Sequence, residues 1–178
     1  VIDISESGFD SLMTSNPTVT TTPTGGLLMI YKGVSKNGAL PKGGDVVCGV
    51  AVADRPGEPF RKTGVPIMVN LENGWSVEDP FVWRDGDHYF ALVKDFQGYF
   101  TKTGSSSTAL FESSDGIDWH PSDHPLAFGR RLAGKSVHKL ERPQLFFENG
   151  KPSILICACA VDEKYNDVFS VRIKLAEK

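Results

Sequence analysis

The sequence predicts an all-β protein: a β-propeller with four-stranded antiparallel blades, of which the chain holds about three. Three observations carry that expectation. Pro17, Pro80 and Pro143 stand at two equal intervals of 63 residues (80 − 17 and 143 − 80), each at the head of the same pattern. After each pattern comes a second unit in which an apolar strand leads toward the next repeat. No apolar run with the 3.6-residue period of a helix lasts more than a turn or two.

The first pattern is NPTVTTTPTGGLLMIYKG, the second EDPFVWRDGDHYFALVKD and the third ERPQLFFENGKPSILICA. Each opens on a polar residue and a proline, runs through an extended segment, turns on glycine and returns as an apolar strand. Gly86 and Gly150 supply the positive φ that a tight hairpin turn needs. VVCGVAVADRPGEPF and STALFESSDGIDW then each give a strand, an Asp-bearing turn and an aromatic residue. VIDISESGF, at residues 1–9, matches the middle of that unit, and DVFSVRIKL supplies the last strand. The expected organisation is one propeller, with residues 1–15 ending an earlier blade and 16–77, 78–140 and 141–178 forming successive blades. At this period 178 residues make about 2.8 blades, while propellers close with roughly four to eight. Missing blades or a partner chain are therefore expected to complete the ring.

Composition narrows the function. With 40% hydrophobic residues the chain can bury a core. A net charge of −3 with no basic block argues against a nucleic-acid partner. No apolar run reaches the roughly 18 residues of a membrane span. Cys48, Cys157 and Cys159 read as buried thiols; the last two fall on one face of a strand and are too close to bridge easily. A secreted or periplasmic location is the expectation. None of the four histidines has metal-ligand spacing, and His88, His120 and His124 read as turn residues. The serines of KTGSSST lack a nucleophile elbow.

In a propeller the first strand of each blade lines a central channel, so the residues that begin those strands converge on one axis. Here they are Ser15-Asn16, Glu78-Asp79 and Glu141-Arg142. Asp79 and Glu141 are thus expected to face a shared pocket, as the paired carboxylates of glycoside hydrolysis do. By strand alternation Glu78 should then point away from the channel. Trp75 precedes the Asp-Pro pair at loop distance and offers a flat face for a sugar. His138 is the histidine near the site, and Arg142 either contacts substrate or pairs with an acid of the neighbouring blade. Lys94-Asp95 reads as an ion pair or turn, and SSDGIDW as a turn held by Asp115 and Trp119.

These segments resemble the five-bladed propeller glycosidases, glycoside hydrolase family 43 and its relatives, which begin inner strands with Asp-Pro and, one blade later, Glu-x-Pro. VEDPFVWRDGDHYFALVKD resembles the first blade and LERPQLFFENGKPSILICA the second. The resemblance implies an inverting glycoside hydrolase acting on a plant or microbial oligo- or polysaccharide. In it, Glu141 is the general acid and Asp79 the carboxylate that orients it and raises its pKa. The family's general base is another Asp about two blades earlier; no matching Asp stands in this sequence, where the preceding blade has Asn16 at the equivalent position and the blade before that is expected to be missing. Trp75, Glu78, Arg142, His138 and Asn16 are the expected substrate contacts. No cofactor or metal ligand set is expected, although a channel ion such as calcium stays open. Two alternatives stand beside hydrolysis: a glycoside phosphorylase, with Arg142, His138 and Lys139 holding phosphate, and a non-catalytic carbohydrate-binding propeller.

Overall fold

The computed structural model describes residues 2–36 and 44–175, which form thirteen strands and no helix. The first sheet holds β1 (Met13–Thr21), β2 (Leu27–Val34), β3 (Val46–Ala53) and β4 (Arg61–Ile67) in sequential order. The second repeats that plan with β5 (Val77–Asp85), β6 (His88–Asp95), β7 (Ser107–Ser113) and β8 (His120–Phe128). A short hairpin, β9 (Arg131–Leu132) and β10 (Lys135–Ser136), leads to a three-stranded sheet of β11 (Lys139–Glu148), β12 (Lys151–Ala160) and β13 (Val168–Lys174). All neighbouring strands within the sheets are antiparallel. Such up-and-down sheets are the blades of a propeller.

Local sequence explains the hairpins. Asn149 and Gly150 both take positive φ (51° and 76°) between the paired ends Glu148 and Lys151, a two-residue turn whose twist matches that of the strands. His88 opens β6, and His120 and His124 lie in β8, all exposed, so they are strand residues rather than turn residues. The sequence SSDGIDW does form a bonded turn. Asp115 Oδ1 accepts from the backbone N–H of Ile117 (2.8 Å) and Asp118 (2.9 Å), and Trp119 Nε1 donates to the Gly116 carbonyl (2.9 Å).

The sheets stack face to face, with apolar side chains from alternate strand positions filling each seam. Leu28, Ile30, Cys48 and Val50 of the first sheet meet Val82, Tyr89, Ala91, Val93 and Phe111 of the second. The second seam joins Leu92, Phe81, Trp83 and Leu110 to Leu140, Leu155, Cys157, Cys159 and Val171. All three thiols are free and buried; burial pushes Cys157 up to about 12 and raises Cys48 and Cys159 as well. The outer face of the first sheet is covered by Ile2, Phe9 and Phe60, packed on Met29, Tyr31 and Ala51. Gly33 and Gly49 make room for the Phe9 ring, because a Cβ at either would lie within 2.6 Å of it.

One irregularity recurs in each of the three larger sheets. The first strand shifts register between Ser15 and Thr18, between Glu78 and Phe81, and between Glu141 and Gln144. At the same three places Asn16, Asp79 and Arg142 have φ of 51°, 53° and 56°. A bulge in left-handed backbone, directly before proline, is a costly conformation on the order of 1–3 kcal/mol. Its repetition every 63 residues marks where the three strands start together.

Candidate active site

The bulges decide where the carboxylates point. A regular strand would send Glu78 and Asp79 to opposite faces. The left-handed turn at Asp79 breaks the alternation, so Glu78 does not point away as strand alternation predicts. One carboxylate oxygen from each of Glu78, Asp79 and Glu141 lies within 4.8 Å of the other two. In register, Glu141 is the counterpart of Glu78, and Ser15 is the third member of that set. Asn16, Asp79 and Arg142 form the other set.

Two lysines organise the glutamates. Lys94, paired with Glu78 across β5 and β6, donates from Nζ to Glu78 Oε1 (3.0 Å) and Glu141 Oε2 (2.5 Å). Lys32, opposite Ser15 on β2, reaches over to Glu78 Oε2 (3.1 Å). Burial alone would raise the Glu78 carboxyl, but Lys94 and Lys32 outweigh it and hold the group below its ordinary value. Burial works against the Lys94 charge as well, yet Glu141 and Glu78 raise its pKa. Lys94 is therefore the cation between the two glutamates. The three acids offer an oxygen ligand set of the kind a hard cation takes, with that ammonium already among them.

Asp79 is buried, at 6% exposure, and has the opposite surroundings. Burial and then the Glu78 charge raise its pKa, against the lowering effect of Arg142, Asn16 and Lys94. The Asn16 side-chain amide donates to Asp79 Oδ1. Arg142 Nε stands 3.9 Å from Asp79 Oδ2, so Arg142 pairs with an acid of the neighbouring sheet. Asn16, Asp79, Arg142 and Gln144 line a cavity of about 240 Å³.

A larger cavity of about 360 Å³ has Glu78 in its wall. Trp75 and Phe96 form its aromatic wall, with ring centroids 4.9 Å apart. Lys32, Glu78, Lys94, Ser106, Arg130, His138 and Lys139 supply polar groups. His138 is half-buried, its ring edge-on to Tyr165 (5.4 Å). The three residues expected to gather around phosphate are thus divided: His138 and Lys139 line this cavity and Arg142 the smaller one. Asp95, next to Lys94, turns away and accepts from the backbone N–H of Tyr99, Phe100 and Thr101.

Lys32 and Arg130 carry no signal in the linear sequence. Lys32 becomes visible only through its cross-strand partner Ser15, and Arg130 through the short hairpin that follows it.

No family model matches the chain, and no curated protein matches it in sequence. Solved structures do. The GH32 β-fructofuranosidase BmSUC1 of Bombyx mori superposes with a TM-score of 0.61 at 17% identity, over 92% of this chain and 34% of that one. The chain has the blade architecture of a β-propeller. A glycosyl hydrolase from Bacteroides ovatus matches with a TM-score of 0.57 at 17% identity, over 92% of this chain and 49% of that one. A structure described under the GH130 family of mannoside phosphorylases, said to contain glycoside hydrolases targeting β-1,2 mannosidic linkages in Candida mannan, gives 0.55 at 17%, over 92% and 50%. The chain spans half the length of these proteins or less.

Proposed function

We propose that the protein is a carbohydrate-active enzyme, a glycoside hydrolase acting on a plant or microbial oligo- or polysaccharide, with Glu141 as general acid and Asp79 as its tuning partner. The observation that carries this reading is the meeting of Glu78, Asp79 and Glu141, from two different sheets, within 4.8 Å. Among them the Asp79 carboxyl, raised by burial and by the Glu78 charge, is the one whose ionisation this crowding disfavours. An inverting acid–base pair stands roughly 6.5–9.5 Å apart to admit water. The Asp79–Glu141 separation is shorter, which suits tuning and leaves the base to a residue outside this trio. Trp75 and Phe96 beside the glutamates offer the flat apolar surface that sugar rings take. Solved neighbours described as glycoside hydrolases support the same reading.

A phosphorylase reading draws on His138, Lys139 and Arg130 in the same cavity, which would hold inorganic phosphate in the place of water. A binding-only reading draws on Asn16, whose amide engages the Asp79 carboxylate. One experiment separates the three. The protein is incubated with a panel of plant and microbial glycans, with and without phosphate, and products are resolved by chromatography and NMR. Free reducing sugar of inverted anomeric configuration without phosphate supports hydrolysis. A sugar 1-phosphate formed only with phosphate replaces it by the phosphorylase, and binding without products reduces it to a lectin-like role.

A further inference from the structure

The charge of the larger cavity points to the kind of sugar it takes. Four fixed cations, Lys32, Lys94, Arg130 and Lys139, line it, against the acid Glu78. Glu141, bonded to Lys94, adds a second acid beside them. Two of the cations are accounted for: Lys32 is bonded to Glu78, and Lys94 to both glutamates. Lys139 stands 3.9 Å from Glu141 and 5.0 Å over the Tyr165 ring, at the edge of the cluster. Arg130 is different. It is half-buried, and among the described residues it pairs with no carboxylate; its Nη1 donates to the His138 carbonyl (3.0 Å). A guanidinium has five N–H donors in a fixed fork, so most of this fork remains for a ligand. The half-buried Ser106 shares the wall with Arg130 in this cavity and in the adjoining one of about 230 Å³.

A neutral sugar would leave this positive excess unmatched. Resting on the carbohydrate-active reading above, we infer that the cavity takes an acidic sugar, a uronic-acid residue. Its carboxylate lies in the fork of Arg130 with Lys139 alongside, and its ring packs against Trp75. Carboxylate and guanidinium match in planar, two-pronged geometry, and such charge-assisted bonds are roughly twice as strong as neutral ones. The aromatic wall and the cationic wall together select a ring that is apolar on one face and anionic at one carbon.

The test is calorimetric titration of the protein with galacturonate and glucuronate oligosaccharides, with their neutral galactose and glucose counterparts, and with inorganic phosphate alone. Binding of an acidic oligosaccharide at least about tenfold tighter than its neutral counterpart is expected, with the preference shrinking as salt rises. Arg130→Gln should bring the acidic-to-neutral ratio close to one, and Arg130→Lys should keep part of it. Thermal unfolding of both variants reports that they are folded. Equal affinity for acidic and neutral sugars in the unsubstituted protein overturns the inference while leaving the carbohydrate reading intact. Binding of phosphate but of no acidic sugar overturns it in favour of a phosphate site, and the absence of binding to every sugar overturns both readings.

Discussion

Lys94 ties Glu78 and Glu141 together across the seam between two sheets, its Nζ lying 3.0 Å from one carboxylate and 2.5 Å from the other. Neither glutamate is far from water, with side-chain exposures of 16% and 17%, but both would lose their shared cation if Lys94 were removed. Lys94→Met should therefore cost about 1–3 kcal/mol in urea unfolding, because it leaves two partly buried acids side by side with only Lys32 on Glu78 and the more distant Lys139 beside Glu141. Combining it with Glu141→Gln should restore part of that loss, a coupling of about 1 kcal/mol or more. A Lys94→Met protein within about 0.5 kcal/mol of the original would show that the ion triad holds nothing together.

Glu141→Gln should lower turnover of a cleaved glycan by roughly 10²–10⁴-fold, the usual worth of a positioned proton donor. The fold should survive, since the Gln carbonyl still accepts from Lys94. Activity retained at the original level removes Glu141 from the general-acid role.

Asp79 gives a pH signature. Its folded pKa is raised, so the buried carboxyl favours folding while protonated, and that contribution is lost as pH rises through the folded pKa. Asp79→Asn should then stabilise the protein near pH 7.5 by about 1 kcal/mol, roughly 2–4 °C in Tm for a chain of this size. The advantage should shrink as pH falls through the raised folded pKa and be gone below about 3.9, the ordinary aspartate value, where both proteins are uncharged at this position. An advantage that stays constant across this range would mean that the charge of Asp79 is not what burial opposes.

Gly116 is tested by packing alone. It has φ of 78°, and a Cβ there would meet Leu28 Cδ1 of the neighbouring sheet at 2.1 Å. Gly116→Ala should cost about 2–4 kcal/mol, from left-handed backbone and overpacking together. Sugar affinity at the larger cavity, whose wall does not include Gly116, should not change. Unaltered stability in a denaturant melt would show that the seam between the first two sheets yields easily.

The fold was legible because its repeat is carried by short-range chemistry. Pro17, Pro80 and Pro143 sit at the same place in three strands, and the Asn149-Gly150 pair states its own turn. The convergence of Asp79 and Glu141 followed from that repeat. The direction of Glu78 did not, since alternation fails where backbone φ turns positive, and a residue before proline carries no sign of that turn. Arg130 was out of reach for another reason: it enters the cavity from the connection between sheets, where no period constrains it.

The buried thiols have a consequence for following how the molecule opens. Cys48 lies in the seam between the first and second sheets, while Cys157 and Cys159 lie in the seam between the second and third. With their pKa values raised, all three are unreactive as long as the seams are closed. Alkylation of a protein keeping only Cys48, or only Cys157, would clock each seam separately, turning the apolar core into a pair of built-in stopwatches for blade separation.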